Sequence, residues 1–178
     1  SSLQAEFGPF ELTLADVLCP LPDGEQRLAR ILCDNVISTL RAQENPRSRV
    51  ILVDHGSPTR EVAAVRELLA SQMRKILGPG ISLHEAVMDR RQGSEYDFSG
   101  RLLEEVLGEL ANNEDDTPVV LSMLFLAPGR HAGSGGDITS IRDRVVAANP
   151  SLQALITPLV GEHSDLVAIL KERLEQAL

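Results

Sequence analysis

The sequence of 178 residues contains no tryptophan, one tyrosine and two cysteines. With so few large aromatic side chains, the core must be built from leucine, valine, isoleucine and alanine. The two cysteines, Cys19 and Cys33, do not form a CxxC pair, which argues against a disulfide framework and against a cysteine zinc site. We therefore expect two reduced cysteines and a cytoplasmic location.

The sequence also lacks long hydrophobic runs and an excess of positive charge. No apolar run is long enough to form a transmembrane helix, and residues 1–10 lack the basic and apolar blocks of a signal peptide. The formal net charge of −9 argues against general binding of nucleic acids, which needs a basic surface. These features predict no membrane and no nucleic-acid partner, and they leave room for a local basic pocket that binds a small anion.

What the sequence does contain is a regular alternation of strand-like and helix-like segments. Short runs rich in β-branched residues predict strands at residues 49–54, 81–88, 118–126 and 152–157. Apolar residues at helical spacing predict helices from Ser57 or Pro58 to Gly78, from Asp97 or Ser99 to Ala111, over residues 137–148, and after a cap at Ser164. Because such alternation implies parallel βαβ units, the predicted fold is a three-layer α/β structure with a mainly parallel sheet and helices on both faces.

A further strand–helix unit precedes these segments. Residues 11–18 predict a strand, and the helix predicted after it ends near Ala42. The order of strand, proline-bearing turn and capped helix recurs at residues 155–170, although any two βα units share this order. We therefore divide the chain into an N-terminal unit, residues 1–48, and a module, residues 49–178. The first unit is either the end of a preceding repeat or a part packed on the same sheet.

Three of the four histidines, His55, His131 and His163, directly follow predicted strands. The carboxyl ends of parallel strands meet at one edge of the sheet, where ligands of open α/β sheets bind. Two neutral imidazoles at this edge can bind a divalent metal such as cobalt, nickel or iron, and they can accept protons near neutral pH. His84 lies within a strand pattern and is interpreted as structural. His163 also precedes the predicted cap at Ser164, so a capping role competes with a role in the site.

Residues beside the first two histidines suggest how a ligand is held. Ser57 lies at the strand-to-helix turn after the first histidine, while Gly129 and Arg130 directly precede His131. The loop that follows, residues 132–136, has no bulky side chain. It is interpreted as a mobile loop, as a lid, or as a cradle of backbone amides for carboxylates at the N-terminus of the next helix.

The loop at residues 88–98 carries two arginines, three acidic residues and the only tyrosine. Such mixed charge is typical of a solvated loop. If the loop reaches the same edge of the sheet, Arg90 and Arg91 can bind carboxylates, because a guanidinium donates two parallel hydrogen bonds to a carboxylate. Asp89 or Glu95 can then help to relay protons.

These motifs carry a resemblance to a known family. The sequence has a strand ending in His-Gly-Ser at residues 55–57, a Gly-Arg-His loop after an apolar strand at 129–131, and a Pro-Leu-x-Gly-Glu-His turn at 158–163. This pattern is similar to that of sirohydrochlorin cobaltochelatases and ferrochelatases, and the resemblance covers residues 49–178. It implies a chelatase-like fold with an open cleft for a tetrapyrrole macrocycle.

The resemblance also implies an activity. Enzymes of this family insert a divalent metal, cobalt or iron, into a sirohydrochlorin-type tetrapyrrole during cobalamin or siroheme biosynthesis. His55 and His131 correspond to the family's histidine pair, which binds the metal and takes up pyrrole protons. The metal (cobalt, iron or nickel) is then a substrate, the partner is an anionic tetrapyrrole, and no organic cofactor is needed. The candidate substrate-binding residues are Ser57, Arg90, Arg91, Gly129 and Arg130.

Two features favour a second hypothesis, in which the protein binds or carries a metal or a tetrapyrrole without catalysis. One is Asp54, directly before the first histidine, and the other is the long glycine loop. A third interpretation is an α/β domain whose edge histidines have no function. The family also suggests that such modules pair, either within one chain or as a homodimer.

Overall fold

A computed structural model describes residue 8 and residues 12–42, 48–112 and 117–178. Its single sheet has the order β2-β1-β3-β4 and is parallel throughout, with the strands β1 (Arg49–Asp54), β2 (Ser82–Val87), β3 (Val119–Met123) and β4 (Ala154–Ile156). Every residue of β1 and β3 is buried, because helices cover both faces of the sheet. The predicted α/β fold with a mainly parallel sheet is confirmed.

Helices from the described parts of the chain form the two outer layers. They are α1 (Gln26–Arg41), α2 (Arg60–Leu77), α3 (Leu103–Ala111), the single turn α4 (Gly129–Ala132), α5 (Asp137–Ala148) and α6 (Leu166–Ala177). Two short 3-10 helices lie at Ser94–Ser99 and Val160–Glu162. Helices α1, α2 and α6 cover one face of the sheet, and α3 and α5 cover the other. None of the described helices is both long and apolar enough to cross a membrane.

Alternate side chains of strand β1 pack on opposite faces of the sheet. Val50 and Leu52 pack with α1, α2 and α6, whereas Ile51 and Val53 pack with α3 and α5. Successive side chains of a strand point to opposite faces. Continued to the last residue of the strand, the alternation directs Asp54 toward the α2 face, where it pairs with Arg66.

Helix α1 packs on the sheet of the module. Its buried apolar side chains include Leu28, Ile31, Leu32 and Val36, and they lie against α2 and β3. Glu25 caps the helix by accepting a hydrogen bond from the Arg27 backbone N–H at 3.1 Å. The Glu25 carboxylate also forms a 2.9 Å ion pair with Arg173 of α6. The N-terminal helix is therefore joined to the C-terminal helix, while the domain boundary at residue 48 stays a prediction.

The strand predicted at residues 11–18 is wrong for the residues that the structure describes. Residues 12–18 are not in a strand, and Leu12, Leu14 and Val17 are mostly exposed. The backbone carbonyl of Val17 instead accepts a hydrogen bond from Arg173 at 3.1 Å. The alternating apolar residues that suggested a strand are therefore largely exposed and lie outside the sheet.

Several predicted boundaries shift by a few residues. The helix predicted from Asp97 or Ser99 begins at Leu103, because Gly100, at φ 104°, separates it from the preceding 3-10 helix. Strand β3 ends at Met123, three residues before the predicted end. Ser164 is not the cap of the last helix; the N-cap position belongs to Asp165.

Candidate active site

His55 and His131 lie side by side at the carboxyl end of the sheet. The His55 side chain is exposed directly after β1, and His131 belongs to the short helix α4 after β3. Their ring centroids are 4.7 Å apart, and the ring planes meet edge to face at 78°. Two imidazoles in this arrangement can present nitrogen lone pairs to one metal ion.

The turn after His55 is fixed by Gly56. This glycine has φ 86°, and a Cβ atom there would lie 2.0 Å from the carbonyl oxygen of Asp89. The backbone N–H of Asp89 donates to the carbonyl of His55 at 3.0 Å. The loop that begins at Asp89 is therefore packed against the histidine turn, and only glycine leaves room for it.

Beneath His55, a buried ion pair anchors the same turn. Asp54 accepts hydrogen bonds from the Arg66 guanidinium at 3.1 and 3.2 Å and from the Gly56 backbone N–H at 3.0 Å. Arg66 also donates to the carbonyl of Ser99 at 2.8 Å. Burial raises the pKa of the Asp54 carboxyl, while Arg66 and the Gly56 N–H act in the opposite direction. Because the Asp54 carboxylate accepts hydrogen bonds from Arg66 and Gly56, we interpret Asp54 as a residue that stabilises the turn.

His131 has a carboxylate partner. Its Nδ1 lies 2.5 Å from Oδ2 of Asp137, the first residue of α5. The glycines between them allow the chain to fold back tightly, since a Cβ atom at Gly136 would lie 2.7 Å from the carbonyl oxygens of both Arg130 and His131. The glycine-rich sequence thus has a structural explanation, which the sequence alone did not reveal.

An apolar cleft of about 690 Å³ opens next to His55. Asp54, His55 and Glu61 are the charged or titratable side chains, apart from a cysteine, among the residues that line it. The apolar part of the wall comes from five regions: the segment before α1, α1 itself, α2, the chain after β3 and the 3-10 helix at Val160–Glu162. Its residues are Val17, Leu18, Leu21, Leu28, Val62, Val65, Leu124, Phe125, Leu126 and Val160. The cleft offers an apolar surface to a flat ligand, with a histidine at its edge.

The predicted substrate-binding residues lie around this edge in different settings. The Ser57 hydroxyl accepts a hydrogen bond from the Thr59 backbone N–H at 3.1 Å, which stabilises the turn before α2. Arg90 donates to the carbonyl of Gly100 at 3.0 Å. The Arg91 guanidinium is exposed and lies over the Tyr96 ring, 5.7 Å from its centroid. Gly129, at φ 48°, and Arg130 are exposed beside His131.

The remaining histidines have local partners. The Nδ1 atom of His163 accepts a hydrogen bond from the Asp165 backbone N–H at 3.2 Å, a capping contact at the start of α6. His84 lies in β2, and its Nε2 is 3.0 Å from the Ser82 hydroxyl. Burial, together with the positive charges of Arg49, Arg74 and Arg101, lowers the pKa of His84.

Sequence reasoning missed four contributions to this region: Arg66, Asp137, Glu61 and the N-terminal wall of the cleft. A signal for Arg66 was present, because it lies within the apolar stripe of α2, three residues before the buried Leu69. Asp137 opens a predicted helix six residues after His131, but the folded glycine loop that joins them has no sequence signature. The cleft wall depends on contacts between distant segments.

The two rings of the histidine pair present imidazole nitrogens at the same place. Within residues 12–42, 48–112 and 117–178, no group of three or more histidine, cysteine, aspartate or glutamate side chains is placed to hold a metal ion. Nitrogen ligands suit cobalt, nickel, iron and zinc. The donor set of this pair is therefore compatible with a transition metal held together with a further, nitrogen-bearing ligand.

Comparisons with known proteins agree with this architecture. A search of curated protein sequences finds no match. The chain is similar in structure to SirB from Bacillus subtilis with Fe3+, with a TM-score of 0.70 and 13% identity over 99% of this chain and 62% of that one. It is also similar to CbiX, the terminal enzyme for biosynthesis of siroheme in denitrifying bacteria, with a TM-score of 0.54 and 15% identity over 85% of this chain and 57% of that one. The chain thus spans less than two thirds of either structure.

The family comparison is independent of these structural matches. The sequence model of the CbiX family matches residues 49–177, which include β1, both paired histidines and α6. This match extends over well more than half of the chain. The sequence resemblance, the parallel sheet and the family match lead to one conclusion: the chain belongs to the CbiX family of chelatases.

Proposed function

We propose that this protein inserts cobalt or iron, as the divalent ion, into a sirohydrochlorin-type tetrapyrrole. The observation that carries the proposal is the pair of imidazoles 4.7 Å apart, with His55 also lining the apolar cleft. Membership of the CbiX family supports metal chelation by a tetrapyrrole as the general activity. The protein is then a metal-inserting lyase of cobalamin or siroheme biosynthesis, and the metal is its substrate.

The proposed reaction exchanges two protons of the macrocycle for one metal ion. The macrocycle loses two pyrrole N–H protons and gains one divalent ion in their place. His55 and His131 first hold the ion through ring nitrogens, and neutral imidazole can then accept a proton as the ion moves to the pyrrole nitrogens. The apolar wall contacts the face of the macrocycle and excludes water from the exchange.

The remaining predicted residues are assigned to the periphery of the substrate. Arg90, Arg91 and Arg130 hold its carboxylates, for which the guanidinium of an arginine is well suited. Ser57 and Gly129 shape the turns that carry the two histidines toward the cleft. We also propose a cytoplasmic location, since Cys19 and Cys33 are both free thiols.

The experiment combines a metal titration with an insertion assay. His55→Ala and His131→Ala should each weaken binding of Co²⁺ at least tenfold by calorimetry and slow metal insertion, followed by the absorption spectrum of sirohydrochlorin. His84→Asn is the matched control, because His84 lies in β2 and contacts Ser82 instead of the pair. Parent-like cobalt binding by His55→Ala would show that the proposed site is wrong. Running the assay with Fe²⁺, Ni²⁺ and Co²⁺ identifies the preferred metal.

A carrier function is the second candidate. The observation that favours it is the number of metal ligands, since among the described residues no group of three or more histidine, cysteine, aspartate or glutamate side chains is placed to hold a metal ion. A carrier would bind the metal or the tetrapyrrole in a one-to-one ratio without faster insertion. Insertion at the uncatalysed rate with every metal, combined with tight binding, would replace the enzyme by the carrier.

We propose in addition that two copies pair through α6. Val167, Leu170 and Leu174 form an exposed apolar stripe along this helix, with exposed fractions of 68%, 51% and 57%. Lys171 and Glu175 lie beside the stripe and pair with each other at 3.6 Å. Two antiparallel copies of α6 would bury the stripe and bring Lys171 of one copy near Glu175 of the other. Light scattering should show a dimer for the parent and a monomer for Leu170→Lys; a parent that is a monomer at high concentration contradicts pairing.

A further inference from the structure

The two histidines of the pair use their Nδ1 atoms differently. Nδ1 of His131 lies 2.5 Å from a carboxylate oxygen of Asp137. Nδ1 of His55 lies 3.0 Å from the backbone carbonyl of Gly56. One histidine is therefore oriented by a side chain six residues away, and the other by its own turn.

The partner of an imidazole nitrogen decides which nitrogen carries the proton. An ionised carboxylate only accepts hydrogen bonds, so the contact with Asp137 requires a proton on Nδ1 of His131. A neutral ring then has its lone pair on Nε2. The carbonyl of Gly56 imposes the same tautomer on His55, since a carbonyl also only accepts.

We propose that Asp137 is a positioning residue, which fixes the tautomer of His131 so that Nε2 is the nitrogen offered to the metal. This inference rests on the proposed function for its consequence in metal binding. It assigns no direct contact between Asp137 and the metal or the macrocycle. In metal sites, a carboxylate on the second nitrogen of a histidine ligand orients the ring, and its loss typically weakens metal binding about 10- to 100-fold.

The folded glycine loop is what makes the contact possible. Asp137 begins α5, and its side chain is half exposed, so burial does not dictate its direction. The carbonyl oxygens of Arg130 and Gly133 come within 3 Å of where a Cβ atom at Gly136 would lie. This tight return of the chain brings the Asp137 carboxylate back to a ring that is six residues earlier in sequence.

A structural role for Asp137 is the alternative. An acidic residue in the first turn of a helix interacts favourably with the helix dipole, and losing it costs a little stability. Stability measurements alone therefore do not separate the two roles. The tautomer of His131 separates the two roles. A direct hydrogen bond from Nδ1 determines which ring nitrogen is protonated, whereas the helix dipole does not.

The first measurement is nitrogen-15 NMR of the imidazole rings in the metal-free protein, at about pH 8, where a free histidine is mostly neutral. The parent should show His131 with the proton on Nδ1. Asp137→Ala should shift His131 toward the form protonated on Nε2, while His55 keeps its signals as the internal reference. Asp137→Glu keeps a carboxylate, which only accepts hydrogen bonds, and should preserve the Nδ1–H form.

The second measurement is Co²⁺ binding by calorimetry on the same variants. Asp137→Ala should bind about 10- to 100-fold more weakly than the parent, and Asp137→Glu should recover most of the loss. Asp143→Ala is the matched control, because Asp143 is an exposed residue of the same helix, paired with Arg142. This control should bind cobalt like the parent.

Three outcomes would overturn the inference. They are an Nδ1–H form that persists in Asp137→Ala, cobalt binding by Asp137→Ala within about twofold of the parent, and an equal loss of affinity in Asp143→Ala. The tautomer measurement needs no metal, so it tests the Asp137 contact even if the parent fails to bind cobalt. Failure of the parent to bind any metal counts against the proposed function alone.

Discussion

At the scale of single residues, the most informative side chains are charged and buried. Arg66 is 3% exposed, yet it occupies the stripe that α2 turns to the sheet. Helical periodicity predicts an apolar residue at this position of the stripe, so the sequence pattern alone does not explain an arginine there. The structure explains it by Asp54, the residue before His55, whose carboxylate needs a partner in the same buried place.

Removing one partner of the buried Asp54–Arg66 pair should lower the free energy of unfolding. Arg66→Met leaves the Asp54 carboxylate buried without its counter-charge, and such changes destabilise proteins by about 3–5 kcal/mol. Urea unfolding should show this loss. Arg74→Met is a suitable control, because Arg74 pairs with Glu85 while remaining about half exposed, and surface pairs contribute at most about 1 kcal/mol. Similar losses in the two variants would contradict the assigned importance of the buried pair.

His84 should make the fold sensitive to mild acid. Its pKa is lowered in the folded protein by burial and by neighbouring arginines. Stability from the neutral ring is therefore complete above the pKa of an unfolded histidine, ~6.5, and is lost as the pH falls through the lower folded value. The free energy of unfolding of the parent should decrease more from pH 7 to pH 5 than that of His84→Asn. Parallel pH curves for the two proteins would exclude this role.

At the scale of elements, the sequence predicted what depends on local pattern. All four strands and the helices after them were found, because apolar periodicity and glycine or proline stops are properties of neighbouring residues. The prediction failed at residues 12–18, which lie outside the sheet: Leu12 and Leu14 are exposed, and Val17 and Leu18 line the cleft. Whether an apolar segment pairs as a strand depends on a free sheet edge within reach, which lies outside the local sequence.

The connection from β1 to α2 illustrates an element fixed by one glycine. Gly56→Ala places a Cβ atom where the Asp89 carbonyl lies, in a backbone conformation that costs other residues about 1–3 kcal/mol. The variant should lose at least that much stability and bind Co²⁺ more weakly, since His55 moves with the turn. Gly80→Ala is the control, because nothing lies near its Cβ position, and it should stay within about 0.5 kcal/mol of the parent. Thermal unfolding and calorimetry measure both effects, and an undisturbed Gly56→Ala would contradict the geometry.

At the scale of the whole molecule, α1 is the element whose role the sequence left open. It was predicted either to end a preceding repeat or to pack on the same sheet. In the structure its side chains Leu28, Ile31, Leu32 and Val36 are at most 2% exposed and belong to the same core cluster as Val50 and Leu52. The preceding repeat stays a prediction.

The module at residues 49–178 should not fold alone. Each large apolar side chain of α1 contributes about 1.5–3 kcal/mol through burial, and the four together approach the ~5–15 kcal/mol that holds a typical domain folded. A chain starting at Ser48 should therefore lose cooperative thermal unfolding and expose apolar surface to a dye. The full chain with Arg30→Ala, a substitution at an exposed residue of α1, is the control and should unfold like the parent. Cooperative unfolding of the shorter chain near the parent's midpoint would show that the module is autonomous.

Part of the cleft wall comes from a stretch of the chain that carries neither histidine of the pair. Part of the apolar wall comes from Val17, Leu18 and Leu21, whereas the imidazoles follow β1 and β3. Arg173 of α6 donates a hydrogen bond to the Val17 carbonyl and so holds this part of the wall. Substitutions at Val17, Leu18 and Leu21 can therefore accumulate without replacing either histidine. In evolutionary terms, ligand preference and chemistry can diverge separately. Exchanging residues 12–24 between relatives should therefore transfer the ligand preference and leave the chemistry unchanged.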